Sequence, residues 1–246
     1  MSAEAGRPEP SMGILADNES RKAAVVTARM TLGSRWISLS EFVLGAVIVI
    51  GHNVYRMIPN EVPILFVLGL VSFRIRDGSW RAMGLEWPAS WCRTLLIAVG
   101  AAFLRIILSS YVIEPMTAHF WPPQKAPAGT SGIAGHPWVA LEWLGIAWTF
   151  AAFGEEIGYR GYLLNRAADA AGRTKFAYWL AVVAVAVLFG YGHYYKGAAG
   201  MIDSGMAGLI LGITYLLSGR NLWACILAHG FIDTVMVVAV FFRWAS

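Results

Sequence analysis

The sequence predicts an all-α integral membrane protein, a bundle of about seven membrane-spanning helices within a range of six to eight. Of its 246 residues, 57% are hydrophobic and only 14% are charged, and the mean hydropathy is +0.57. Soluble domains are about 45–50% apolar and about 25% charged. Apolar runs recur along the chain between short polar loops, and each bilayer crossing needs about 20 such residues. A chain of this length therefore accommodates one compact bundle.

The net charge and the cysteines exclude two other classes of protein. The net charge of +4 comes mainly from lysines and arginines in the predicted loops, which is the distribution expected for cytoplasmic loops of a membrane protein. No basic stripe interleaved with aromatic residues is present, so nucleic-acid binding is not expected. Cys92 and Cys225 lie at the edge of or inside apolar runs, and they form neither a disulfide framework nor a zinc-finger spacing.

The first 35 residues differ in composition from the rest of the chain. They are polar, carry charges of both signs and lack the apolar stretch of about 7–15 residues that a cleavable signal peptide contains. We therefore predict a disordered or surface-lying cytoplasmic tail over residues 1–35 and a single transmembrane helical domain over residues 36–246.

The apolar runs define the predicted spans and their orientation. Arginines and lysines are concentrated in loops 74–93 and 166–175, whereas loop 114–137 is rich in proline and glycine with Lys125 as its one basic residue. The positive-inside rule places the first two loops and the N-terminus in the cytoplasm and the third loop outside. The seven predicted spans are 37–58, 62–73, 95–113, 138–153, 176–191, 200–217 and 222–242.

The first of three polar motifs is Glu155-Glu156 followed by Arg160, directly after an apolar run. A charge near the bilayer centre costs about 2.5 kcal/mol or more, so such residues usually face a polar interior and mark function. On a helix Glu156 and Arg160 lie one turn apart, in the order that favours an ion pair. Glu155 is rotated by about 100° and keeps no such partner. The pattern predicts that Glu156 and Arg160 neutralise each other and that Glu155 is free for chemistry.

The other two motifs place histidines in later apolar helices. Phe189 and His193 lie at the end of the fifth predicted span, and His229 and Asp233 lie within the seventh. His229 and Asp233 are one helical turn apart, so the aspartate could orient the imidazole, fix its tautomer or add its own oxygen to the same pocket. Two glutamates, two histidines and an aspartate on three apolar helices predict one shared functional site.

These residue types suit the activation of a water molecule, with or without a metal. With a metal, Glu155, His193 and His229 would bind an ion such as zinc, whose bound water has a pKa of about 7. His-Glu-x-x-His is absent from the sequence, so Glu156 or Asp233 would then be the base. Without a metal, Glu155 is the general base, His193 helps to hold the water, and His229 with Asp233 polarises the scissile carbonyl. Both versions predict hydrolysis of an amide inside or at the edge of the membrane.

In this order on successive hydrophobic helices, the three motifs resemble those of the CPBP family. This family contains the CAAX prenyl endopeptidases and the bacteriocin-processing or immunity proteins, and is also called the Abi family. The similarity covers about residues 138–240, and the stretch 228–234 looks typical of bacterial members. The resemblance implies an all-helical intramembrane endopeptidase with a polar catalytic cavity inside the bundle.

The resemblance also implies a role for each motif residue. Glu155 matches the family's water-activating glutamate, His193 matches the histidine that shares this water, and His229 with Asp233 matches the pair assigned to the oxyanion site. Many members have asparagine in place of Asp233. An ionised aspartate there would repel an oxyanion, so Asp233 must be protonated or have an orienting or metal-binding role. The supporting residues are Glu156, Arg160 and Phe189.

We therefore expect an intramembrane endopeptidase, of glutamic or metallo type, that cuts a peptide bond in a membrane-associated or lipid-modified peptide or protein. Its expected partners are the bilayer and this substrate. Its expected location is the plasma or inner membrane, with a cytoplasmic N-terminus, and any cofactor would be a divalent metal such as zinc. The alternative is a non-catalytic membrane scaffold, a bacteriocin-immunity factor or a transporter. A transporter would favour repeated halves, and no internal repeat is visible.

Overall fold

The computed structural model describes residues 34–121 and 132–244, and this part of the chain consists of helices joined by short loops, without strands. Each of its seven helices overlaps one of the seven predicted apolar spans, so the predicted all-α class is confirmed. Their bounds are Ser34–Asn53 (α1), Glu61–Arg76 (α2), Trp91–Phe120 (α3), residues 137–170 (α4), Lys175–Tyr191 (α5), Tyr194–Leu217 (α6) and Leu222–Phe241 (α7). The first span was predicted too long, because α1 ends at Asn53 rather than at residue 58. A short 3-10 turn, Trp80–Met83, lies in the loop between α2 and α3.

Four of these helices, α1, α3, α6 and α7, are long and apolar enough to cross a membrane, and α5 is a shorter apolar helix. The chain is therefore a helical membrane bundle. The count of seven spans and the cytoplasmic position of the N-terminus stay predictions. The predicted tail lies almost wholly outside the described residues, since α1 begins at Ser34.

The predicted loop 114–137 is wrong in its first part, because α3 continues through residues Glu114–Phe120. In the sequence, Pro115 marks the end of the apolar run, and proline lacks the N–H that continues a helix. In the structure a π-type stretch, Ser109–Ile113, directly precedes it, and such a local widening accommodates the missing hydrogen bond. Residues 122–131 of this loop lie outside the described part of the chain.

Helix α4 is longer than the predicted span, which ended at residue 153. It runs to Ala170, and its middle part, Ala147–Leu164, is wound as a π-helix. Departures of this kind are frequent at functional sites. Helix α2 and helix α7 pack against this middle part, α5 pairs with α6, and α3 packs along α7. The first polar motif therefore lies where several helices meet, and Glu156 and Arg160 are fully buried there.

Arg166 was predicted to lie in a basic cytoplasmic loop, and this prediction is wrong. It belongs to α4, is 1% exposed and has three carboxylate partners: Asp77 at 2.7 Å, Asp169 at 3.0 Å and Glu41 at 3.0 Å. Its guanidinium also lies 4.0 Å from the centre of the Phe73 ring. A buried cation requires such partners. They connect α1, α2 and α4, because Glu41 lies on α1 and Asp77 directly follows α2.

We predict that Arg166→Met lowers the free energy of unfolding by about 3 kcal/mol or more, because the substitution leaves several carboxylates without their common counter-charge. The measurement is a denaturant titration of the purified protein in detergent micelles. Arg173→Met is the matched control. Arg173 is half exposed, and among the described residues its one ion pair is with Asp169, so its loss should cost about 1 kcal/mol or less. Equal losses in the two variants would contradict the assignment of Arg166 as a structural centre.

Candidate active site

The first and third motifs meet at the carboxylate of Glu156. Its Oε1 accepts hydrogen bonds from Nη1 of Arg160 at 2.8 Å and from Nδ1 of His229 at 2.7 Å. The ion pair that the sequence spacing predicts is therefore present, and a second partner from α7 is added to it. Oε2 of Glu156 is buried and has no hydrogen-bond partner among the described residues. Glu156 is therefore a buried polar link between α4 and α7.

This link fixes the orientation of His229. A carboxylate oxygen only accepts hydrogen bonds, so Nδ1 of His229 carries a proton and Nε2 is the nitrogen left for other contacts. Nε2 lies 3.7 Å from Oδ2 of Asp233, which is longer than a hydrogen bond. From sequence, Asp233 was the candidate that orients the imidazole. In the structure the hydrogen bond that does so comes from Glu156, which is 73 positions away in the chain.

Phe189 joins the second motif to the other two. Its ring centroid lies 4.4 Å from the guanidinium carbon of Arg160, 4.8 Å from the His193 ring and 6.2 Å from the His229 ring. Arg160 also donates from Nη2 to the carbonyl of Gly208 on α6 at 3.2 Å. A cation over an aromatic face is favourable, and more so when both are removed from water. The apolar Phe189 side chain thus contacts charged or polar residues of all three motifs.

His193 follows the C-terminal end of α5. Its Nδ1 lies 2.9 Å from the carbonyl oxygen of Phe189, and because a carbonyl only accepts, Nδ1 is the donor. In the neutral imidazole the other nitrogen, Nε2, then has a free lone pair. The ring is half-buried, so this lone pair is available to accept a hydrogen bond from a bound water.

Glu155 differs from its neighbour Glu156 in its partners. Its Oε2 is buried without a hydrogen-bond partner among the described residues. In the described part of the chain Glu155 forms no ion pair within 4 Å, whereas Glu156 pairs with Arg160 and His229. This agrees with the division expected from the rotation of adjacent residues on a helix.

The close approach of α4 and α7 depends on Gly230, the residue after His229. A Cβ atom at position 230 would lie 2.5–2.7 Å from atoms of the Trp148 ring, which is closer than van der Waals contact allows. The indole N–H of Trp148 also donates to Oγ1 of Thr234 at 3.1 Å. Gly230 therefore lets α7 lie flat against α4 and brings His229 within hydrogen-bond distance of Glu156.

A second buried acid lies beside these motifs, and no sequence pattern grouped it with them. Glu61, at the start of α2, is 6% exposed. It accepts from Nδ2 of Asn53 at 2.9 Å and from the Tyr159 hydroxyl at 3.4 Å, and Nε2 of His52 lies 3.4 Å away. The sequence feature that could have indicated this cluster is the polar end of the first apolar run, where His52 is followed by Asn53.

A pocket opens next to this second acid. It has a volume of about 360 Å³ and is lined by His52, Asn53, Arg56, Ile58 and Tyr195. The ring centroid of Tyr195 lies 5.9 Å from that of His193. The pocket is therefore adjacent to the second motif and has both polar and aromatic walls.

The donor atoms for a metal are present but do not converge. Glu155, His193 and His229 offer a carboxylate and two Nε2 atoms, which is a suitable set for zinc. Within residues 34–121 and 132–244, however, no group of three histidine, cysteine, aspartate or glutamate side chains lies close enough to hold a metal ion. The reaction proposed below therefore contains no step that depends on a metal ion.

Comparison with known families identifies the region that carries this geometry. The model of the family described as type II CAAX prenyl endopeptidase Rce1-like matches residues 137–235. Residues 137–235 are therefore similar to the Rce1-like family, and they are called the Rce1-like region below. The resemblance drawn from the three motifs is thereby confirmed, and all of the motif residues lie within the Rce1-like region. The family supports a CAAX-protease type of intramembrane endopeptidase in general. No curated protein and no solved structure matches the chain.

We predict that Gly230→Ala lowers both the folded yield and the thermal stability, because the added methyl group forces the Rce1-like region's α4 and α7 apart. The measurement is size-exclusion chromatography and thermal denaturation in detergent. Gly145→Ala on α4 is the matched control, since a Cβ at that position meets no atom within 4 Å. It should be neutral or stabilise the helix slightly. A Gly230→Ala variant as stable as Gly145→Ala would contradict the close packing at Trp148.

Proposed function

We propose that the protein is an intramembrane endopeptidase that hydrolyses a peptide bond in a membrane-associated or lipid-modified peptide or protein, with a water molecule activated by Glu155. The observation that supports this most is the difference between the two adjacent glutamates. Glu156 is engaged by Arg160 and His229, whereas the buried Oε2 of Glu155 has no partner in the described part of the chain. A carboxylate in this state is a suitable general base.

In the proposed reaction Glu155 takes one proton from the water, and Nε2 of His193 accepts a hydrogen bond from the other O–H. The water oxygen forms a bond to the scissile carbonyl carbon and gives a tetrahedral intermediate. When the C–N bond breaks, Glu155 returns its proton to the leaving amine nitrogen. The products are a new carboxyl group and a new amine, so no other reactant is needed.

His229 is proposed to stabilise the oxyanion of this intermediate. For this role it must be an imidazolium that donates from Nε2, while Nδ1 donates to Glu156. Glu156 and Asp233 then offset its charge from two sides. Groups held in place before the reaction stabilise developing charge without a reorganisation cost, and the buried bond to Glu156 supplies that restraint.

The proposed substrate approaches beside Tyr195. The pocket lined by His52, Arg56 and Tyr195 is next to His193, so a peptide lying in it would present a carbonyl near the proposed water. A lipid attached to the substrate would remain in the bilayer. We propose the plasma or inner membrane as the location, with the N-terminus in the cytoplasm.

We predict that Glu155→Gln lowers cleavage about 10²–10⁴-fold, because the amide cannot take the proton of the water. The assay follows cleavage of a prenylated CAAX peptide by purified protein in liposomes, with the products identified by mass spectrometry. Glu142→Gln, an exposed position on the same helix, is the matched control and should retain activity. Undiminished cleavage by folded Glu155→Gln protein would rule out Glu155 as the base.

We predict different outcomes for the two partners of Glu156. His229→Ala should abolish cleavage while the protein still folds, because it removes the proposed oxyanion donor. Arg160→Ala should mainly lower the yield of folded protein, because it leaves a buried carboxylate without its strongest counter-charge. The measurement is the yield of monodisperse protein and the cleavage rate per folded molecule. An Arg160→Ala variant with normal yield and no activity would contradict this division.

A further inference from the structure

Arg56 lies in the loop after α1, where the chain turns back towards the start of α2. Its backbone N–H donates to the His52 carbonyl at 3.1 Å, and the N–H of Met57 donates to the Gly51 carbonyl at 2.9 Å. A bond to the carbonyl four positions earlier is typical of a helix that ends in a left-handed residue, which is usually glycine. Arg56 has this conformation, with φ of 54°. The last turn of α1 therefore fixes the backbone that carries the Arg56 side chain.

The loop is also held against α1 by Ile58. Nδ1 of His52 lies 2.8 Å from the Ile58 carbonyl oxygen, and because a carbonyl only accepts, Nδ1 is the donor. The Ile58 side chain packs on Gly51, where a Cβ atom would lie 2.8 Å from Cδ1 of Ile58. The loop is thus fixed on both sides of Arg56, which lines the pocket of about 360 Å³ together with His52 and Ile58.

Two other polar residues that line this pocket are engaged by groups of the protein. Nδ2 of Asn53 donates to the Val49 carbonyl at 3.1 Å and to Oε1 of Glu61 at 2.9 Å, so both of its amide protons are used. Nε2 of His52 lies 3.4 Å from Oε2 of Glu61. Glu61 itself is buried and does not line the pocket. Its carboxylate is therefore directed at the residues of the pocket wall and not at the pocket itself.

Arg56 is in the opposite situation. Its side chain is exposed and lines the pocket, and among the described residues it forms no ion pair within 4 Å. A guanidinium presents its N–H donors in a planar fork that matches the two oxygens of a carboxylate. A pocket with such a group in its wall suits the anionic part of a ligand.

The pocket and the polar cluster behind it both reach the second motif. Tyr195 lines the pocket, and its ring centroid lies 5.9 Å from that of His193. The Tyr159 hydroxyl lies 3.4 Å from Oε1 of Glu61, and a Cβ atom at Gly192 would lie 2.7 Å from the same hydroxyl oxygen. Gly192 directly precedes His193. A carboxylate bound in the pocket can therefore belong to a peptide whose scissile carbonyl lies near His193.

We propose that Arg56 is a specificity-determining residue that binds a carboxylate of the substrate while the scissile peptide bond lies beside His193. This inference rests on the proposed endopeptidase function. The carboxylate is the C-terminus of the substrate or an acidic side chain near the scissile bond, since a guanidinium binds both in the same way. Arg56 lies outside the Rce1-like region. Because this contact forms when the substrate binds, it should lower KM more than it raises kcat.

The test uses three prenylated peptides that differ only in their carboxylates. The first has a free C-terminus and no acidic side chain, the second has a C-terminal amide and no acidic side chain, and the third is the amide with one glutamate beside the scissile bond. Their kcat and KM are measured in liposomes with the wild type and with Arg56→Gly. Glycine is the usual residue at a left-handed helix end, so this variant keeps the backbone and removes the charge.

We expect the wild type to have a KM about tenfold or more lower for at least one carboxylate peptide than for the neutral amide, because hydrogen bonds to charged groups are the stronger ones. Whether the first or the third peptide has this advantage identifies the source of the carboxylate. In Arg56→Gly the advantage should fall to about threefold or less, while kcat stays within about threefold of the wild type for each peptide.

Arg243→Gly is the matched control. Arg243 follows α7 with the same left-handed backbone, φ 57°, and does not line this pocket, so its loss should leave the KM values unchanged. Arg56→Lys should keep part of the preference, because it retains the charge without the planar fork. Arg56→Asn replaces Arg56→Gly if the glycine variant yields too little folded protein, since asparagine also tolerates this backbone.

Two kinds of failure are distinguishable. A wild type with the same KM for all three peptides, or a preference that persists in Arg56→Gly, overturns the inference while the proposed function stands. A wild type that cleaves none of the three peptides overturns the proposed function and the inference with it.

Discussion

The buried carboxylate of Glu156 is the constraint on which the rest of the site depends. A charge in the interior of a membrane protein is unfavourable unless it is paired, and removing one partner is costly. Arg160 and His229 both bond to one oxygen of this group. Arg160 in turn reaches the Gly208 carbonyl and the Phe189 ring. Satisfying one charge thus fixes α4 against α5, α6 and α7 and joins the three motifs into one unit.

The same constraint separates the functions of two adjacent glutamates. Because Glu156 is committed to its two partners, its oxygen cannot take part in proton transfer without breaking the helix contacts. Glu155 lies on a different side of the helix and has a buried oxygen without a partner among the described residues. Structural stability and proposed catalysis are therefore carried by neighbouring residues of the same type, which a composition-based analysis would treat as equivalent.

Local patterns in the sequence predicted the helices and the contacts within a helix, and they missed contacts between distant helices. Each apolar run forms a helix over most of its length, and the spacing of Glu156 and Arg160 gives their ion pair because both lie on α4. The bond from His229 to Glu156 spans 73 positions, and no periodicity encodes it. Arg166 was expected to lie in a loop because charged residues are usually in contact with water. Two of its carboxylate partners, Glu41 on α1 and Asp77 directly after α2, are far away in sequence.

The most direct test of the central claim is a double-mutant cycle on cleavage between Glu156 and His229. Glu156→Gln and His229→Gln would be measured singly and together as kcat/KM per folded molecule, with the prenylated CAAX peptide in liposomes. If Glu156 acts by holding the imidazole, the double variant should be about as active as His229→Gln alone, since residues that act as a unit are not additive. Losses that multiply would show that the two residues contribute independently and would contradict the account.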